Sequence, residues 1–166
     1  TDQTVLEHLA PEARSRVQQA DLRAQGIADF GVFHSRGFGC PVKPALLELF
    51  YRGQPMPLTC WPSTGYTTIK SYPPDAGESD GHGATIGKLE NGFFYEGDRP
   101  QRWSDPGDII VHGFWAYDWA NTYERIAVLD TERRFIKLEP PGGVYGYRPG
   151  QRIQFLNILD ELTAPG

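Results

Sequence analysis

Along the chain, apolar residues come in short runs that alternate with polar ones and break at turn formers. The run 151–155, Gln-Arg-Ile-Gln-Phe, alternates polar and apolar as a half-buried strand does. Residues 45–51 predict a strand, 52–54 a turn, and 56–61 the returning strand. Pro55, Pro57 and Pro62 push that return to a sheet edge or a bulge. Residues 66–72 predict another strand, ended by Pro73 and Pro74. Short strands follow around 84–86 and 92–95, and 109–115 reads as a strand with both faces partly apolar. A hairpin is expected from 123–129 and 135–138, with Asp130, Thr131, Glu132 and Arg133 as its turn. The stretch 75–83, Asp-Ala-Gly-Glu-Ser-Asp-Gly-His-Gly, has no apolar periodicity and reads as a loop, either a mobile surface or the carrier of a site. One helix is expected over 11–17, where Pro11 suits a first helical position and Glu12 the first turn. Turn signals recur about every 8–12 residues, and no helix alternates with a strand. The expected fold is mostly β, an antiparallel β-barrel or sandwich with a short N-terminal helix. The expected organisation is a lead-in over 1–20, holding the helix, and a β-rich domain over 21–166.

Composition strengthens this reading. The 19 glycines and 14 prolines leave little room for long helices. Aromatic residues make up 13% of the chain, more than a core of this size needs, so some belong to a surface or an interface. The formal net charge is −5 and no basic patch or stripe is present, which argues against nucleic acid as a partner. No apolar run reaches the length of a membrane span, and the first residues are too polar for a secretory signal. Cys40 and Cys60 can form one disulfide, closing a loop of about 20 residues and worth ~3 kcal/mol, or remain two small buried thiols. The histidines His8, His34, His82 and His112 are scattered, and no metal or cofactor is expected.

The densest chemical signal lies in 112–121. His112, Phe114, Trp115, Tyr117 and Trp119 place five rings in eight positions. Aromatic faces stack on the C–H faces of sugars while neighbouring amides and carboxylates take the hydroxyls. Trp115, Tyr117, Asp118, Trp119 and Asn121 are therefore candidate ligand-binding residues. The same rings can instead build a core or a domain interface. A second cluster, 95–103, adds Asp98, Arg99 and Trp103 as candidates. Asp98 and Arg99 can pair bidentately with other groups or simply fix a loop. Polar neighbours argue that Trp103, Trp115 and Trp119 do not all lie in the core, since a buried polar group without a partner costs about 1–3 kcal/mol. Glycoside hydrolysis requires two carboxylates across a cleft. Glu96, Asp98, Asp105, Asp108 and Asp118 are available, but their spacing sets no two of them face to face, so no catalytic residue is assigned. There is no H-E-x-x-H and no G-x-S-x-G, and 81–87 is spaced wrongly for a dinucleotide-binding loop.

Several ordered runs carry a resemblance. They are Arg36-Gly37-Phe38-Gly39, Gly53-Gln54-Pro55-Met56, Trp61-Pro62, and Gly97-Asp98-Arg99-Pro100 followed by Arg102-Trp103. His112-Gly113-Phe114-Trp115 leads to Asp118-Trp119-Ala120, then Tyr145-Gly146-Tyr147 and Asn157-Ile158-Leu159-Asp160-Glu161-Leu162. Together they resemble the insertion domain of right-handed parallel β-helix proteins similar to glycoside hydrolase family 141, from about Val17 to Gly166. The chain departs from that pattern at Cys60, where the family has Arg before Trp-Pro, and at Asn121, where it has Asp. The 75–83 loop has no counterpart. The resemblance implies an insert in a secreted or periplasmic parent whose catalytic carboxylates lie on the β-helix, outside this segment. It implies a non-catalytic accessory domain that binds carbohydrate or shapes a cleft. The implied partners are a polysaccharide or oligosaccharide and the parent's β-helix domain. A purely structural packing module and an autonomous polysaccharide hydrolase with a carboxylate pair are the alternatives.

Overall fold

The computed structural model describes residues 2–46, 48–104 and 107–163. Among the described residues it holds one α-helix, α1 (Gln3–His8), three short 3-10 helices and twelve strands. The first four strands are short: β1 (Arg36–Gly37), β2 (Phe50–Tyr51), β3 (Gln54–Pro55) and β4 (Cys60–Trp61). Then come β5 (Thr67–Ser71), β6 (Gly77–Ser79), β7 (Thr85–Gly87) and β8 (Phe93–Tyr95). The last are β9 (Ile110–Gly113), β10 (Thr122–Asp130), β11 (Phe135–Leu138) and β12 (Arg152–Leu156).

Six of these close a ring. β5 pairs β8, β8 pairs β11, β11 pairs β10, β10 pairs β9, β9 pairs β12, and β12 returns to β5, every pair antiparallel. The molecule is thus mostly β, an antiparallel barrel with a short N-terminal helix. β1 extends β10 and β4 extends β12. β10 can serve two neighbours in succession because its register shifts between Ile126 and Val128. Its first half lies on β9 and its second on β11. Alternation fills the interior: Ile153 and Phe155 of β12, Ile136 and Leu138 of β11, and Phe93 and Tyr95 of β8 are buried. Trp115 and Tyr147 pack on Phe93 toward one end, while Trp61 and Trp103 pack on Phe155 toward the other.

Three local expectations are corrected. The helix lies at Gln3–His8 rather than 11–17, because Asp2 caps it by accepting from the Thr4 amide. Residues 11–16 form turns only, closed by bonds such as Ala13 N to the Ala10 carbonyl. Of the strand expected over 45–51, only β2 forms, in a two-stranded hairpin with β3. Leu49, Phe50 and Tyr51 are all exposed, so no second layer rewards a longer strand; Leu47 lies outside the described residues. The 75–83 loop contains β6, which pairs with β7. Cys40 and Cys60 are free thiols, and the disulfide considered above is not formed.

The lead-in is anchored. Leu9 and Ala13 are buried, and the Ser104 hydroxyl lies 2.7 Å from both His8 Nδ1 and Asp160 Oδ1. Here the serine bridges the other two groups. Asp160 Oδ2 also lies 3.7 Å from His8 Nδ1, so hydroxyl and carboxylate meet the same ring nitrogen, whereas a catalytic relay uses opposite ones, and the three groups fasten α1.

Candidate functional site

The connection 114–121 runs from β9 to β10 and deals its side chains to three places. Gly113 sets the first. A Cβ there would fall 2.3 Å from the Trp115 ring, so glycine lets that indole fold back into the core. Trp115 Nε1 donates to Thr122 Oγ1 at 2.7 Å, tying both ends of the loop. The Ala120 amide donates to the Tyr117 carbonyl, forming a turn that turns Trp119 outward. Trp119 is 60% exposed, against 2% for Trp115.

Trp119 is held by other rings. Tyr117 stacks on it at 5.5 Å with 16° between planes, and Tyr145 stands edge-on to both at 5.1 and 5.4 Å. Phe38, from the segment after β1, meets Trp119 edge-on at 5.1 Å. Such offset and edge contacts suit the ring quadrupoles and fix the group as a platform. Centroid spacings this short leave no room for a ligand between rings, so the outer faces are what the platform offers.

The β6–β7 hairpin supplies the facing rim. Glu78, Ser79, Asp80 and His82 line, with Tyr117, Trp119 and Tyr145, a cleft of about 590 Å³. Asp80 organises this rim. Its Oδ1 accepts from the amides of His82 and Ala84 at 2.8 and 3.0 Å, and its Oδ2 accepts from Arg148 at 2.9 Å. Those amides, more than the guanidinium, hold its carboxyl below the usual aspartate range. Arg148 in turn lies 5.0 Å over the Tyr117 ring. One carboxylate therefore ties the rim to the platform.

The rest of the loop faces the barrel wall. Asn121 Oδ1 accepts from His112 Nε2 at 3.0 Å, and His112 stacks on Tyr123 at 4.2 Å. Burial pushes the His112 pKa down, so its imidazole stays neutral further into acid. Arg152 lies 4.3 Å over Phe114 and donates to Asp118 Oδ1 at 3.0 Å.

The eight sequence candidates therefore divide. Tyr117 and Trp119 share the platform, while Asp118 and Asn121 lie beside it on the wall. Trp115 belongs to the core. Asp98, Arg99 and Trp103 lie toward the other end of the barrel. There Arg99 grips Glu161 through Nε and a terminal nitrogen at 2.6 and 3.1 Å, and Trp103 Nε1 donates to the same carboxylate at 2.7 Å. Trp103 is buried, and Asp98 is exposed ahead of the 3-10 turn Arg99–Arg102. Among the suggested carboxylates, Asp108 pairs with Arg125, and Asp105 lies outside the described residues. Phe38, Glu78, Asp80, His82 and Tyr145 were missed as site residues. Only the loop character of 75–83 pointed toward three of them.

No known protein family, curated protein or solved structure matches the chain.

Proposed function

We propose that this chain is a non-catalytic carbohydrate-binding domain that shapes a glycan cleft for a secreted or periplasmic β-helix parent similar to a glycoside hydrolase. One observation carries the proposal. Trp119 is locked in place by three neighbouring rings and yet is 60% exposed. A large ring fixed in solvent forgoes the stabilisation of burial until something covers it. A sugar ring is the cover that fits. Its C–H face lies on the indole while its hydroxyls reach the Glu78, Ser79, Asp80 and His82 side of the cleft.

A second role, docking on the parent's β-helix, is favoured by a different surface. Leu49, Phe50 and Tyr51 each expose more than half their area around the β2–β3 hairpin.

Two substitutions test the binding role. Trp119→Ala is expected to abolish oligosaccharide binding in calorimetry while the melting temperature stays within about 2 °C of the parent. Trp115→Ala is expected to cost about 3–5 kcal/mol of stability, because it empties a core site. Unchanged sugar binding in Trp119→Ala would overturn the proposal.

A further inference from the structure

Beside the platform, the barrel wall carries a second exposed ring with hydrogen-bonding groups alongside. Tyr66, just before β5, is 42% exposed and meets Phe114 edge-on at 5.8 Å. The Arg152 guanidinium lies against both rings, 5.6 Å from Tyr66 and 4.3 Å from Phe114. It donates one hydrogen bond, to Asp118 Oδ1, and the side chain of Asp118 is 76% exposed. Among the described residues, Asp118 Oδ2 accepts no hydrogen bond and the second terminal nitrogen of Arg152 donates none. The buried Nε of Arg152 is also without a partner. A flat ring thus stands near an exposed carboxylate with an unused acceptor and a guanidinium with an unused donor, joined to each other by one hydrogen bond, groups that sugar hydroxyls can satisfy.

The connection between the two surfaces is short. Phe114 and Asp118 belong to the wall, Tyr117 and Trp119 to the platform, and all four lie on one loop. Five residues of chain span at most about 18 Å, so the surfaces are separated by no more than a few sugar units. We infer that the wall around Tyr66 is a second sugar subsite, and that the ligand is an extended polysaccharide strand lying across both surfaces rather than a mono- or disaccharide. This rests on the carbohydrate-binding reading above and specifies its substrate class. A strand anchored at the platform meets the wall at high effective concentration, so affinity grows with chain length without any change in either contact.

The test is calorimetry with cello-, xylo- and mannooligosaccharide ladders, from disaccharide to octasaccharide, on the wild-type chain, Tyr66→Ala, Asp118→Ala and Trp119→Ala. The expected result is an octasaccharide affinity at least about tenfold above the disaccharide affinity in one ladder. Tyr66→Ala and Asp118→Ala should bring the octasaccharide down to disaccharide strength and leave the disaccharide unchanged. Trp119→Ala should remove both. Equal affinity along the ladder, or full length dependence in both Tyr66→Ala and Asp118→Ala, overturns the second subsite while platform binding stands. Absence of binding to all three ladders overturns the carbohydrate reading and this inference with it. Circular dichroism matching the wild type verifies that the variants are folded, and two separate wall substitutions keep the test decisive if one of them is not.

Discussion

Glu124 is wholly buried on β10, where Ser35 donates to Oε2 and Oε1 has no hydrogen-bond partner. Burial raises its pKa above the ordinary glutamate value, outweighing the lowering effect of the Ser35 and Thr122 hydroxyls. A carboxyl whose pKa is higher in the fold holds its proton more tightly there than in the open chain. Its contribution to stability is complete below the unfolded value, near 4.5, and is lost as pH rises through the folded value. At neutral pH, where the open chain ionises this group freely, the upward shift costs the fold stability. Glu124→Gln is expected to stabilise the protein by about 1 kcal/mol at about pH 7, with the gain vanishing toward about pH 4. Urea denaturation at both pH values reads the difference, and equal gains would show that buried charge is not the cause. Residues of one type also diverge in ways composition cannot resolve. Trp115 and Trp119 lie four residues apart on one loop, yet one fills the core and the other faces water. What separates them is Gly113, which admits the Trp115 ring, and Thr122, which accepts its N–H.

At the scale of elements, β1 does more than its two residues suggest. It pairs with Thr122 and Tyr123 of β10, and the next residue, Phe38, enters the aromatic platform. Gly37 makes this approach possible. Its φ is +115°, and a Cβ would lie 2.3 Å from the Asn121 carbonyl oxygen. Gly37→Ala is expected to lift the segment off β10, lower stability by about 1–3 kcal/mol, and weaken sugar binding with it. Thermal unfolding and calorimetry check both effects, and unaltered binding would show that the Phe38 contact with Trp119 is not needed to hold the sugar. The strands legible in sequence are those with a buried face, β5, β7 and β8 through β12; the hairpin turn expected at 130–133 lies one residue further on, at 131–134. β6 escaped because all three of its residues are exposed, so backbone pairing forms it without any hydrophobic signature. The 45–51 run failed in the opposite sense, since its apolar residues have no layer to cover them. The helix shifted because the cap on Asp2 decides where it starts, whereas the expectation rested on Pro11.

At the scale of the whole molecule, the barrel separates two jobs. Toward one end, the Arg99–Glu161–Trp103 cluster and the bridge from His8 through Ser104 to Asp160 fasten the chain's beginning to the turn after β12. Toward the other, the 114–121 loop, Tyr145 and the β6–β7 hairpin surround the cleft. The class of fold was legible from turn spacing and alternation. The grouping of site residues was not, because Phe38, Asp80, Trp119 and Tyr145 come from four separate stretches that meet only when the cylinder closes. That closure also sets a tempo. The ring is completed by β12 lying between β5 and β9, with Ile153 opposite Thr67, so the seam joins the first barrel strand to the last. Contacts so distant along the chain require a long loop to be ordered before they form, which slows the conformational search. Refolding after dilution from urea, followed by tryptophan fluorescence, is expected in milliseconds to seconds rather than microseconds. During synthesis, too, β5 must wait with one edge open until β12 has left the ribosome, and for that interval it is a strand exposed to strangers.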